Sequence, residues 1–136
     1  MVDIKDVLEE EFSRNELPVD RVKIRQILAA NNGARIRTWL SICSRCGLCA
    51  ESCFEYLAND RNPKLSPAYK VKQTLGALYR RKGKVDREFL KRCYEIAWLQ
   101  CTMCKRCSVF CPFGIDIATM ISIARSVCYS QGFKPN

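Results

Sequence analysis

Apolar residues recur along most of this chain at intervals of three and four, the spacing of helices that bury one face. Ile4, Val7, Leu8 and Phe12 make the first such stripe, with Asp3 placed to cap it. Pro18 opens a second segment, to about Ala30, which reads as a helix although Val22 and Ile24 also allow a short strand. Asn31-Asn32-Gly33 stops it, and Ala34 to Ile42 reads as another short helix. Two prolines keep Asp60 to Pro67 irregular. From Pro67 to Lys82 the residues Val71, Leu75, Leu78 and Tyr79 share a face, and Gly83 is expected in the C′ position that ends it. Asp86 is placed to cap a stripe of Phe89, Leu90, Cys93, Ala97 and Trp98, and Asp116 to cap a last helix that runs to about Gln131 and is closed by Gly132. No segment alternates with the period of two that a half-buried strand needs. The expected fold is all-α.

Two cysteine runs interrupt this pattern, and they are copies of each other. Cys43-Ser-Arg-Cys46-Gly-Leu-Cys49-Ala-Glu-Ser-Cys53 and Cys101-Thr-Met-Cys104-Lys-Arg-Cys107-Ser-Val-Phe-Cys111 both read C-x2-C-x2-C-x3-C, at an offset of 58 residues. A Trp-Leu pair precedes each, Trp39-Leu40 and Trp98-Leu99. Three thiolates at i, i+3 and i+6 can wrap three iron corners of a [4Fe-4S] cubane, while the fourth corner must be reached from elsewhere. In bacterial two-cluster proteins with this run the fourth cysteine ligates the other cluster. On that rule Cys43, Cys46, Cys49 and Cys111 are expected to hold one [4Fe-4S] cluster, and Cys101, Cys104, Cys107 and Cys53 a second. Pro112 follows Cys111 and helps turn the chain there, whereas Phe54 follows Cys53.

Composition narrows the chemistry further. The chain has 136 residues, ten cysteines and no histidine. Without imidazole there is no Ser-His-Asp or Cys-His catalysis, no Rieske centre and no Cys/His zinc finger. So many thiols serve disulfides or metal. The start, Met-Val-Asp-Ile-Lys-Asp-Val-Leu-Glu-Glu-Glu, is acidic and lacks the apolar run of about 7 to 15 residues that a secretory signal needs. No stretch offers the roughly 18 consecutive apolar residues of a membrane span. A reducing cytoplasm is therefore expected, and metal is favoured over disulfides. Zinc remains an alternative, as does a single degenerate cluster, but zinc favours two C-x2-C pairs set apart by a loop rather than four thiols within eleven residues. Cys93 and Cys128 lie outside both runs on apolar helical faces, where a small buried side chain is expected rather than a ligand or a redox thiol.

Charge is unevenly spread. The formal +9 comes from 23 Lys and Arg against 14 Asp and Glu. Residues 61–92 hold eleven of the basic residues, with only Asp86 and Glu88 against them, a net of +9. The first 20 residues carry seven acids against Lys5 and Arg14. The basic stretch is a candidate docking face for an acidic protein or for a membrane surface beneath an integral partner, or else a solvated helix end. Nucleic acid is not an expected partner, since no helix-turn-helix, zinc-finger or aromatic-platform motif accompanies the charge.

Helices around two such motifs resemble the α-helical ferredoxin module. More narrowly, Ser-Arg-Cys46-Gly-Leu-Cys49-Ala-Glu-Ser-Cys53, the segment from Tyr69 to Gly83, and Cys111-Pro-Phe-Gly-Ile-Asp116 resemble the C-type iron-sulfur subunits of heterodisulfide reductase. They also resemble the N-terminal cluster module of the related iron-sulfur protein in the membrane complexes of sulfate reducers. The resemblance covers about residues 36–133. It implies an α-helical ferredoxin domain over 36–136, preceded by a helical extension over 1–35, with two [4Fe-4S] clusters bound between helices. It further implies an electron-transfer subunit, working between a donor subunit and a catalytic disulfide- or sulfur-reducing subunit, cytoplasmic or held at the cytoplasmic face of a membrane by a partner. With four thiolates on each cluster, no catalytic site of its own is expected. Larger members of that family carry CCG segments that hold the disulfide-reducing cluster; this sequence has none, so that chemistry is expected of a partner. The alternatives are a free ferredoxin-like carrier and the iron-sulfur subunit of a flavin-dependent succinate, lactate or glycolate dehydrogenase.

Overall fold

A computed structural model describes residues 18–31, 33–133 and 135. The helix expected over residues 4–12 lies outside the described residues. In chain order the elements are α1 (Arg21–Ala30), α2 (Gly33–Ile42), the one-turn helices α3 (Leu48–Glu51) and α4 (Phe54–Ala58), and a 3-10 turn (Pro63–Leu65). Next come α5 (Pro67–Val71), which widens through a π-helical turn (Lys72–Gly76) into α6 (Ala77–Arg80), and α7 (Arg87–Tyr94), which ends in a second π turn (Glu95–Leu99). The short α8 (Arg106–Phe110) and the long α9 (Ile117–Ser130) complete it. No strand occurs among the described residues, so the segment containing Val22 and Ile24 is helical.

Side-chain caps set several of these starts. Asp20, Asp86 and Asp116 accept the backbone N–H of Lys23 (3.1 Å), Phe89 (2.8 Å) and Thr119 (3.1 Å). The first of these moves the start of α1 from the expected Pro18 to Arg21. Burial pushes the Asp116 carboxyl up, but hydrogen bonds from Thr119 and Ser108, together with Lys105, outweigh it and hold the group below its ordinary value.

The C-terminal ends differ in one respect from expectation. At α6 the N–H of Lys82 bonds the carbonyl of Tyr79 (3.2 Å) and that of Gly83 the carbonyl of Leu78 (3.0 Å). That is a Schellman pattern in which Lys82, not Gly83, occupies C′. Both residues are left-handed, with φ of +52° and +76°. Gly83 is still required, because a Cβ there would lie 3.3 Å from the side chains of Ile24 and Arg25. Arg25 holds this turn against α1 by donating to the Lys82 carbonyl (3.3 Å). At α9 Gly132 takes C′ as expected (φ +89°).

The core is built around α9, whose Ile117, Ala118, Met120, Ile121, Ile123, Ala124, Val127 and Cys128 are all buried. Leu75 and Leu78 pack with it from the α5–α6 rod, Phe89, Leu90 and Cys93 from α7, and Ile24 and Leu28 from α1. The described part of the segment before residue 36 thus shares this core. It is clasped by Gln131, which accepts the Asp20 N–H (2.8 Å) and donates to the Asp20 carbonyl (3.3 Å). Tyr79 adds a hydroxyl bond to the Leu28 carbonyl (2.9 Å). Cys93 and Cys128 are buried side by side. Their mutual hydrogen bond and their burial push the Cys93 thiol well up.

Candidate metal centres

The two cysteine runs repeat in conformation as well as in sequence. Arg45 and Gly47 are left-handed, with φ of +57° and +84°, and so are their counterparts Met103 and Lys105 at +59° and +66°. Each pair leads into a one-turn helix, α3 or α8. Each fourth cysteine is then extended: Cys53 has φ −88° and ψ 115°, and Cys111 has φ −73° and ψ 118°. Loops with left-handed residues so placed form backbone concavities that suit anions, iron-sulfur groups among them. Gly47 meets the φ requirement without strain, whereas Lys105 bears the cost that a Cβ brings, about 1–2 kcal/mol.

The first run opens on a cavity of about 710 Å³. Cys43, Cys46 and Cys49 line it, and Cys111 joins them from the far run, with Trp39, Leu40, Ala50, Ala68, Val71, Ile115, Ile117 and Met120 supplying apolar wall. The volume far exceeds the roughly 30 Å³ that one water takes up in the liquid. Four thiols around such a space suit a polynuclear cluster rather than one ion. Among the described residues no three Cys, Asp or Glu side chains group around a single-ion site.

The second run has a much smaller void, about 20 Å³, lined by Cys101 and Cys107 with Cys53 from the first run. Phe54, Glu55, Pro67, Lys70, Thr102 and Ile121 complete its wall, and Glu55 forms no ion pair with Lys70 there. Cys104 is not among the lining residues and stands exposed, as does Cys46. What marks this site is charge. Lys70 is 2 % exposed, its Nζ donates to the Gln100 carbonyl, and it approaches Cys53 Sγ to 3.9 Å. No carboxylate pairs with it among the described residues. A buried cation needs an anion beside it, and a cluster held by four thiolates provides one.

Helix α5 is the wall between the sites, with Ala68 and Val71 facing the first and Pro67 and Lys70 the second. Burial raises the Cys49 thiol, and the neighbouring thiols of Cys43, Cys111 and Cys46 add to it, while the Ala68 N–H opposes them by bonding the sulfur. Cys107 is pushed up to about 11, first by burial, then by Cys101 and by Cys49 of the other run. The helices that carry Cys49 and Cys107, α3 and α8, pack against each other, so the two sites adjoin. Since ligand thiols must be deprotonated, filling either site releases protons.

Two residues at these sites escape a search for motifs. Lys70 looks like one more surface cation in a basic stretch, yet it lies on the buried stripe of Pro67, Val71 and Thr74. That spacing is the signal that could have found it. Arg125 donates from Nε to the Ala97 carbonyl (2.7 Å) and from Nη2 to the Cys101 carbonyl, with its guanidinium 4.4 Å over the Trp98 ring. It thereby fixes the approach to the second run, and nothing in the local sequence announces it.

A helical chain with two four-cysteine runs folded against one another is a protein of the iron-sulfur class. This one belongs to the 4Fe-4S dicluster domain family, whose model matches residues 39–115, and its cofactors are two [4Fe-4S] clusters. An Hdr-like menaquinol oxidoreductase iron-sulfur subunit of Archaeoglobus profundus is 33% identical over 112 residues, covering 72% of this chain and 20% of the relative. The Hdr-like menaquinol oxidoreductase iron-sulfur subunit 2 of Archaeoglobus fulgidus is 34% identical over 99 residues, covering 62% and 17%. The chain thus spans a fifth or less of the length of the curated relatives it matches. No solved structure matches it.

Proposed function

We propose that this chain is the electron-conducting unit of a heterodisulfide-reductase-like redox complex, relaying single electrons between a donor subunit and a catalytic disulfide- or sulfur-reducing subunit. The donor side of such a complex is quinol-linked, in keeping with the relatives' being subunits of menaquinol oxidoreductases. The ligand sets are Cys43, Cys46, Cys49 and Cys111 for the first cluster, and Cys101, Cys104, Cys107 and Cys53 for the second. The observation that carries this reading is the packing of α3, which bears Cys49, against α8, which bears Cys107, with α5 lining both sites, so that the two sites adjoin and an electron has a short path between them. Each cluster, when bound, supplies a one-electron couple and no open corner for a substrate. The chain's own residues exclude water with the apolar wall of the first site, bond Cys49 through the Ala68 N–H, and hold Cys101 in place through Arg125.

Docking falls at the end of the molecule that bears the sites. From the basic stretch Lys72 and Arg80 reach the mouth of the first cavity, where Arg37 and Arg45 join them; all four are exposed. An acidic partner surface would be drawn to this rim. Leu48, Val109 and Phe110, 50%, 78% and 58% exposed, lie on the packed pair α3 and α8 and offer the apolar centre that a lasting interface needs. Among the described residues no helix is long and apolar enough to cross a membrane, and membrane association at the cytoplasmic face comes through a partner. Anaerobic purification of the tagged chain from its native cell should bring down redox subunits with it, and combined charge reversal of Arg37 and Arg80 should weaken that recovery. A chain that elutes alone contradicts the subunit reading.

A further inference from the structure

We propose that the buried ammonium of Lys70 makes the second cluster the more readily reduced of the two, and so gives the relay its direction. The inference rests on the ligand sets proposed above and adds a role for a residue outside them. Lys70 is one of three polar or charged side chains buried among the described residues, with Thr74 and Gln131, and the only one of them that carries a charge. It is held in place from two sides. The Thr74 hydroxyl donates to the Lys70 carbonyl (2.7 Å), and the Lys70 Nζ donates to the carbonyl of Gln100 immediately before Cys101. The same Nζ lies 3.9 Å from Cys53 Sγ.

Adding an electron makes a thiolate-ligated cluster more negative by one charge. A cation fixed at a ligand sulfur, away from solvent, therefore stabilises the reduced form and raises the potential. The first site has cations too, but Arg37, Arg45, Lys72 and Arg80 are all exposed, where water and salt screen them. Its buried neighbour at sulfur is the Ala68 N–H, a dipole rather than a full charge. The two cysteine runs are alike in backbone, and the sites differ in what surrounds them: at the second, Lys70 is a fully buried cation at a ligand sulfur, while the other charges there, Arg125 at the Cys101 carbonyl and Glu55 on the void, are only half-buried. An electron that enters at the basic rim of the first site then settles on the second.

The test is an anaerobic redox titration of the holoprotein, followed by electron paramagnetic resonance, on wild type and on Lys70→Met. Wild type should show two separate one-electron midpoints. In Lys70→Met the higher one should fall by at least tenfold in the reduction equilibrium, about 59 mV for one electron, while the lower one stays. Lys70→Arg should retain most of the difference. Lys70→Gln keeps a donor for the Gln100 carbonyl and stands in if Lys70→Met does not take up both clusters. The proposal is overturned if neither midpoint moves, if both move together, or if only the lower one falls. Loss of the second cluster from both neutral variants overturns it as well, because the lysine would then be a requirement of assembly rather than of potential. Failure of the ligand reading would look different: the wild type itself would lack a second centre.

Discussion

Cys53→Ser is expected to cost the chain the cluster whose other ligands lie 48 residues or more away in sequence, and to spare the cluster of its own run. Cys111→Ser should do the converse, emptying the large cavity shared with Cys43, Cys46 and Cys49. The expectation follows from where the fourth cysteines stand. Cys111 lines the cavity of the first run and Cys53 the void of the second, each extended by its backbone away from the helix that precedes it. Iron should fall from about eight to about four per chain in either variant, given cubane stoichiometry, and the surviving signal should differ between the two. Loss of the neighbouring cluster alone would show that each run serves itself, and identical residual spectra would show that neither fourth cysteine belongs to a single cluster. Because each cysteine staples the far run, both variants should also lower resistance to denaturant, as metal binding energy is folding energy.

The second large effect is expected in the core. Leu90 is fully buried on α7, and its carbonyl lies 3.9 Å from Cys128 Sγ of the central helix α9. Leu90→Ala removes packing at this contact, where close neighbours on both helices leave little room for collapse, and should cost about 2–5 kcal/mol. Against a total stability of about 5–15 kcal/mol that is a large fraction. The denaturant midpoint of the holoprotein should drop clearly, whereas Leu90→Met, which keeps the volume, should cost less than about 1.5 kcal/mol. Both variants should keep their iron, since Leu90 lines neither site. A wild-type midpoint for Leu90→Ala would mean that α7 contributes little to the fold.

Much of this was legible from residue types and spacing. The cysteine runs state their chemistry because few other cofactors need four thiols in eleven residues twice, and the absence of histidine closes the chemistries that need imidazole. Asp86, Asp116 and Gly132 announced helix ends that the structure keeps, since capping is a local matter of side chain and backbone. What escaped notice depends on tertiary packing. Lys82 takes C′ in a turn whose Gly83 lies against Ile24 and Arg25 of α1, and Lys70 turns inward to the Gln100 carbonyl and Cys53, partners 30 and 17 residues away. The π turns before Ala77 and after Tyr94 leave no mark in an apolar period that tolerates one extra residue. Arg125 acts on Cys101 across 24 residues of chain, a distance at which sequence pattern has no voice. The basic stretch illustrates both sides: its net charge was plain, but its eleven cations include a buried lysine, two exposed residues at the rim of the first site, and Arg81 and Arg87, which stack on Phe89 and Phe133 at 5.0 and 4.4 Å.

The central claim is that this chain holds two [4Fe-4S] clusters and works as an electron conduit. Its most direct test is the metal and sulfide content of anaerobically prepared protein, read with its visible absorption before and after one-electron reduction. Two cubanes give about eight irons and eight sulfides per chain, with visible absorption that bleaches on reduction. Zinc in place of iron, or four irons with one cysteine run free to react, would contradict it.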